Sequence, residues 1–214
     1  KERAKEAHGG VAPKEHIVGY DALAVYIHKD NPLDAISIEE LAEIYGDGGK
    51  TEDWSQVSDK TADLGKIVRV SRQNNSGTYA YFKDKALMKG DYKDTVKEQP
   101  GSASVVQGVE NDRWGVGYSG IGYMTSGVRV VPVARSTDED PVLASWENAA
   151  NGKYPLTRFL EVYINKQPAK PLDRLVHEYL RFILSAEGQH IVVKAGFHPL
   201  DAEIIRLQLT KLTE

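Results

Sequence analysis

The stretch IVRVSRQNNSGTYAYFKDKAL, residues 67–87, gives the clearest indication of the fold. Its first residues, Ile67–Val70, are mostly β-branched, which favours a short strand. A polar turn, Arg72–Thr78, follows directly. Apolar residues then recur at helical spacing: Tyr79, Phe82, Ala86 and Leu87. The stretch therefore predicts a strand, a turn and a helix in that order.

Strand-like and helix-like segments alternate in the same way along the rest of the chain. Residues 16–27 (HIVGYDALAVYI) predict a buried strand, and Ser37 with Glu40 forms a capping box that predicts the start of a helix. Further strands are predicted at 115–119, 128–133 and 157–164, and further helices after Ser102 or Ser104, near 142–150, and at 172–183, 185–195 and 202–212. Residues 46–66 predict a loop that Trp54 anchors. This alternation indicates an α/β fold with helices on both faces of a sheet.

The turn after the strand at residues 67–70 brings together groups that bind an oxyanion. The planar guanidinium of Arg72 can meet two oxygens at once, and the hydroxyls of Ser76 and Thr78 lie at a predicted helix start. The amides and dipole of a first helical turn also favour negative charge, and Gly77 allows the backbone close to a ligand. The alternative is that Ser76 only caps the helix and Arg72 is an ordinary solvated side chain.

Composition and motif spacing argue against several other functions. The chain has 27 basic and 31 acidic residues, a formal charge of −4, so it lacks the positive charge typical of nucleic-acid binding. It contains no cysteine, its six histidines include no H-x-x-x-H pair, and we expect no metal and no cofactor. Gly115–Gly120 matches G-x-G-x-x-G, but it lies within a predicted strand, so close packing explains its glycines better than a dinucleotide does.

Short segments along almost the whole chain, taken in their order, indicate a protein family more specifically than the fold class does. They are YDALAV (20–25) with DNP (30–32), residues 37–45 with Trp54-Ser55, the turn at 72–78, SVVQ (104–107), GVGY (115–118), YPL (154–156), FILSAEGQ (182–189) and GFHPL (196–200). In this order the chain resembles the phosphate-specific substrate-binding proteins of ABC importers.

The resemblance implies roles for individual residues of the turn. In that family an arginine and a following Ser-Gly-Thr contact phosphate, which implies a phosphate site made of Arg72, Ser76, Gly77 and Thr78, with Asn74 beside them. Asn74 stands where the family often has an aspartate that pairs with the arginine. Its neutral amide would leave Arg72 freer to bind a different anion.

The start of the chain departs from the family pattern. Lys1–Ala7 predicts a polar helix already under way, and we expect the chain to lack the family's first strand and loop, which supply further phosphate ligands. A carboxylate that accepts the phosphate proton distinguishes phosphate from sulfate in this family. Asp21 is only a speculative substitute for it.

The resemblance also implies the domain organisation. We expect a two-lobed fold of the type II periplasmic-binding-protein class, with an incomplete first lobe at 1–27 and 157–214 and a second lobe at 32–153. Hinge crossovers would lie at 28–31 and 154–156, and phosphate would bind in the cleft that the lobes close by hinge motion.

The expected function is that of a noncatalytic, monomeric receptor that delivers inorganic phosphate to the permease subunits of an ABC importer. It would lie outside the cytoplasmic membrane, either free in the periplasm or as a membrane-anchored lipoprotein. Three alternatives stay open: a sensor or interaction module with the same fold, a receptor for another tetrahedral oxyanion, and a phosphoester hydrolase. The last would need a metal or a nucleophile with a base, and the sequence offers no evident one.

Overall fold

The computed structural model describes residues 5–6, 9–167 and 170–213, so the helix predicted at Lys1–Ala7 lies largely outside the described residues. The chain divides into two compact units, one made of Lys1–Asp21 with Arg158–Glu214 and the other of Ala22–Thr157. Each unit has its own hydrophobic core.

This division differs from the predicted lobe limits at both crossing points. Residues 22–27, which we assigned to the first lobe, are buried in the core of the second unit because they pair with that unit's central strands. Tyr154 and Leu156 also belong to this core. The predicted crossovers at 28–31 and 154–156 therefore lie inside the second unit, and the chain passes between the units at Asp21/Ala22 and Thr157/Arg158.

Five strands form the sheet of the second unit. They are β1 (Lys14–His28), β3 (Val68–Arg72), β4 (Lys97–Gln99), β5 (Gly115–Gly120) and β6 (Val128–Val131), in the spatial order β4-β3-β5-β1-β6. Strand β3 runs parallel to β4 and β5, whereas β1 runs antiparallel to β5 and β6. Two short strands, β2 (Ile36–Ser37) and β7 (Val133–Ala134), make a separate parallel pair. The sheet is mixed, and its parallel part contains the strand that precedes the predicted anion site.

Four helices accompany this sheet: α1 (Ile38–Tyr45), α2 (Gly77–Lys85), α3 (Ser102–Glu110) and α4 (Trp146–Ala150). The predicted capping box of α1 is confirmed, because Ser37 Oγ accepts from Glu40 N at 3.0 Å and the Glu40 carboxylate accepts from Ser37 N at 2.7 Å. Helix α4 is shorter than predicted. Val142 instead exchanges two backbone hydrogen bonds with Val133, at 2.9 and 3.0 Å, so this part of the chain is extended.

The glycine-rich segment at 115–120 is a fully buried strand, β5, and not a nucleotide-binding turn. A Cβ atom added to Gly117 would lie 2.7 Å from Val109 Cγ2 and 3.0 Å from Val105 Cγ1, both on α3. The predicted explanation, close packing of a helix on a glycine-rich strand, is confirmed.

Aromatic side chains fill the core between α2 and the sheet. The Phe82 and Tyr118 rings stack with centroids 3.8 Å apart, and the Tyr118 hydroxyl lies 2.7 Å from that of Tyr92. Burial raises the pKa of Tyr118, so its phenol stays protonated. Trp54 is completely buried and donates to Trp114 O at 2.9 Å, which confirms it as the anchor of the 46–66 loop.

The first unit combines the beginning of β1 and strand β8 (Thr157–Ile164), which pair, with helices α5 (Arg174–Ile183), α6 (Ala186–Lys194) and α7 (Ala202–Thr213). Its buried core consists of Tyr20, Leu180, Leu184, Leu200 and Leu212. Burial and the neighbouring Asp201 carboxylate raise the pKa of Tyr20 to about 12. Within the described ranges, no helix combines the length and the apolar character that crossing a membrane requires.

Candidate anion-binding site

The residues of the predicted turn lie where one strand ends and the next helix begins. Arg72 is the last residue of β3, and Gly77 is the first residue of α2. The Ser76 amide donates to Gln73 O at 2.9 Å, which closes the turn between them. The strand–turn–helix order predicted from residues 67–87 is confirmed.

Ser76 is the N-cap residue of α2. It is buried, its backbone is extended (φ −86°, ψ 135°), and its Oγ accepts from Thr78 N at 3.1 Å. The first intrahelical bond, Ala80 N to Ser76 O, follows at 3.1 Å. The Ser76 hydroxyl accepts in this bond, so its own hydrogen can donate to an anion at the positive end of the helix.

The remaining predicted residues differ in exposure. Gly77 is exposed and Thr78 is half-buried, and the Thr78 hydroxyl has no hydrogen bond to any described residue. Asn74 lies in the exposed part of the turn and makes no hydrogen bond to Arg72 among the described residues. The structure thus brings Arg72, Ser76, Gly77 and Thr78 onto one short segment, with Asn74 on its solvent side.

Arg72 is held by neutral groups. Its Nη1 donates to Ser102 Oγ at 2.8 Å and its Nη2 to Pro100 O at 3.4 Å. Its Nε is buried and has no partner among the described residues. None of the ion pairs in the described ranges includes Arg72. No described carboxylate therefore pairs with the guanidinium, and three of its five N–H groups have no partner among the described residues.

Ser102 contacts Arg72, although the sequence analysis does not predict it as part of this site. The sequence predicts it only as a possible cap of α3, because Ser is common at helix starts. Its contact with Arg72 joins residues 30 positions apart. The parallel pairing of β3 with β4 sets Arg72 opposite Gln99, and this pairing brings the start of α3 alongside Arg72.

Asp21, the speculative proton acceptor, already has a partner. Its Oδ2 accepts from Arg158 Nε at 3.1 Å and Nη2 at 2.8 Å, and its side chain is only 6% exposed. Both residues belong to the first unit. The carboxylate forms a structural ion pair, so the interpretation of Asp21 as a phosphate-proton acceptor has no support.

We searched the described residues for side chains that could bind a metal ion. Across residues 5–6, 9–167 and 170–213, no group of three or more His, Cys, Asp or Glu side chains is arranged to hold a metal ion. The site of the described chain consists of one cation, hydroxyls and helix-start amides, which suits reversible binding of an anion.

Comparison with known proteins identifies the family of this chain. The PBP superfamily domain matches residues 1–187. The phosphate-binding protein PstS of Pseudomonas aeruginosa is 42% identical over 226 residues, which cover 98% of this chain and 67% of that protein. The chain belongs to the PstS family of the PBP superfamily.

Two further proteins are similar to this chain. Protein SphX of Synechococcus elongatus is 32% identical over 200 residues, covering 91% of this chain and 58% of SphX. A crystal structure from Clostridium perfringens, assigned as a phosphate ABC transporter substrate-binding protein and containing bound phosphate, is 26% identical with a TM-score of 0.71. The aligned region covers 94% of this chain and 76% of the Clostridium perfringens chain. The chain thus spans between about three fifths and three quarters of these relatives.

Proposed function

We propose that this chain is a noncatalytic receptor for inorganic phosphate, which it binds through Arg72, Ser76, Gly77 and Thr78. The observation that supports this most is the environment of Arg72. Its guanidinium has no ion-pair partner among the described residues, and the helix that begins five residues later carries hydroxyls on its capping serine and on its second residue. A doubly charged tetrahedral anion matches this set, because it can accept from several donors at once.

The interaction energies are sufficient without further charged residues. Each hydrogen bond to a charged group contributes about 1.5–3 kcal/mol. Two bonds from Arg72 and one from each hydroxyl would together offset the desolvation of the anion and the entropy lost on binding. The net charge of −4 does not oppose this, since one arginine and one helix N-terminus are enough to give a local site its positive potential.

We place this receptor in phosphate import. Its relatives are named as phosphate-binding proteins and as a phosphate ABC transporter substrate-binding protein. By this proposal the chain works outside the cytoplasmic membrane, in the periplasm or as a lipid-anchored protein, and passes phosphate as a monomer to the permease of an ABC importer. It performs no catalysis.

One observation favours a second ligand class. Asn74 carries no charge and makes no hydrogen bond to Arg72, and no carboxylate of the described residues pairs with the guanidinium. An arginine in this state also suits other tetrahedral oxyanions, and sulfate is the natural competitor.

Isothermal titration calorimetry with phosphate and with sulfate tests the proposal. Arg72→Ala should weaken phosphate binding by about 2–4 kcal/mol, or roughly 30- to 900-fold, because it removes a desolvated charge partner. Arg135→Ala is the matched control: Arg135 is an exposed arginine of the same unit that donates to Gly152 O at 2.9 Å, and its loss should leave affinity unchanged. Absence of phosphate binding, or equal affinities for Arg72→Ala and the unmodified chain, would refute the proposal. Tighter binding of sulfate would assign the second ligand class.

A further inference from the structure

Ser102 stands at the start of α3 but does not cap that helix. The N-cap residue is Gly101, and its amide and carbonyl both bond to Ser104 Oγ, each at 3.1 Å. The Ser102 side chain is left for a different contact, the 2.8 Å hydrogen bond from Arg72 Nη1. The two serines of this helix start therefore have separate roles, one in helix capping and one in contacting the arginine.

The backbone around Ser102 is fixed independently of this contact. Gln73 N donates to Gln99 O at 3.0 Å in continuation of the β3–β4 pairing, and Ser119 Oγ donates to Ser102 O at 3.4 Å. A change of the Ser102 side chain should thus leave its position in the fold intact. The contact can therefore be removed without displacing this helix start.

The contact constrains how Arg72 presents its donors. A guanidinium is planar and has five N–H groups. Anchoring Nη1 to Ser102 Oγ and Nη2 to Pro100 O fixes the orientation of that plane. Three N–H groups remain, including the buried Nε that has no partner among the described residues, and two suffice for bidentate binding of an oxyanion.

The chemistry of the anchor also matters. A carboxylate would hold Arg72 equally well but would cancel part of its charge. The serine hydroxyl is neutral, so the orientation is fixed while the charge stays available to the ligand.

We propose that Ser102 is a positioning residue that orients the Arg72 guanidinium toward the bound oxyanion without neutralising it. This inference rests on the proposed function, since it assigns Ser102 a role at the same site. Ser102 acts through Arg72 and does not need to touch the anion.

Calorimetry with inorganic phosphate on three variants tests the inference. Ser102→Ala should weaken binding about tenfold, because a guanidinium that is no longer anchored must be ordered when the anion binds, while the thermal midpoint of the ligand-free chain falls no more than in Ser104→Ala. Ser102→Thr retains the hydroxyl and should restore affinity to within about twofold. Ser104→Ala is the matched control, because it should lower the thermal midpoint through the lost cap and leave affinity unchanged. Equal affinity of Ser102→Ala and the unmodified chain would overturn the inference.

A measurement without ligand separates this inference from the proposed function. The Arg72 Nε–H signal in ¹⁵N spectra, assigned by its loss in Arg72→Lys, reports rotation of the guanidinium. Rotation should become faster in Ser102→Ala and stay the same in Ser104→Ala. If the unmodified chain binds no phosphate yet shows this difference, the proposed function fails and the positioning by Ser102 stands. If rotation is the same in Ser102→Ala, the inference is wrong even where phosphate binds.

Discussion

Replacing Ser76 by aspartate separates the two roles that this side chain has in the structure. As the N-cap of α2, Ser76 accepts from Thr78 N at 3.1 Å, and its hydroxyl hydrogen is the proposed donor to phosphate. An aspartate caps a helix as well as a serine does, but it has no proton to donate and adds a negative charge. Ser76→Ala, in contrast, removes both the cap and the donor.

The magnitudes follow from these contacts. Ser76→Ala should cost about 1 kcal/mol of stability through the lost cap and about 1.5–3 kcal/mol of phosphate binding through the lost hydrogen bond. Ser76→Asp should leave stability within roughly 0.5 kcal/mol of the unmodified chain, in the range typical of cap exchange. Two like charges about 4 Å apart repel by about 1–4 kcal/mol near a protein surface, so this variant should lose at least about 100-fold in affinity.

Denaturant unfolding gives the stability of each variant, and calorimetry with phosphate gives its affinity. Ser145→Ala is the matched control, since Ser145 caps α4 in the same unit by accepting from Asn148 N at 3.1 Å. It should lose stability like Ser76→Ala and keep its affinity. If Ser76→Asp binds phosphate within about twofold of the unmodified chain, Ser76 only caps the helix and the assignment of its hydroxyl to the anion is wrong.

Two further predictions concern the fold. Gly117→Ala should destabilise the second unit by about 1–3 kcal/mol, because the added methyl group overlaps Val109. Gly48→Ala is the control, since a methyl group there lies in open space and should not destabilise the unit. Equal denaturation midpoints for the two variants would contradict this packing. His16 is completely buried, and neither ring nitrogen has a partner among the described residues. Burial, and then the charge of Lys211, lower the pKa of His16. As the pH falls below about 6.5, the unfolded chain therefore takes up a proton at this residue and the folded chain does not. The free energy of unfolding should fall below that pH. His16→Phe should flatten this fall in denaturant unfolding between pH 7 and pH 5, by at most about 1.4 kcal/mol per pH unit, and an identical slope in both proteins would show that another group is responsible.

Local signals in the sequence predicted most of the elements. The Ser37/Glu40 capping box, the strand–turn–helix order at residues 67–87 and the glycine packing of β5 all depend on residues close together in the chain or on a simple size limit. These features were correct because their physical causes lie within a few residues of each other.

Long-range pairing decided the features that the sequence left open. Residues 22–27 belong to the second unit's core because β1 pairs antiparallel with both β5 and β6. Helix α4 is shorter than predicted because Val142 forms a bridge with Val133. The partner of Arg72 was also set by pairing of β3 with β4, which brought Ser102 to it. Neither spacing nor composition contains this information, because a strand pattern does not specify its neighbours.

The most direct test of the central claim is a phosphate titration followed by backbone and arginine side-chain ¹⁵N spectra of the chain. If phosphate binds at the start of α2, the largest shifts should occur at the amides of Gly77 and Thr78 and at Arg72 Nε–H, and all three should saturate at one common affinity. Saturable shifts confined to other residues, or no shifts at these three groups when binding is complete, would contradict the assignment of this site.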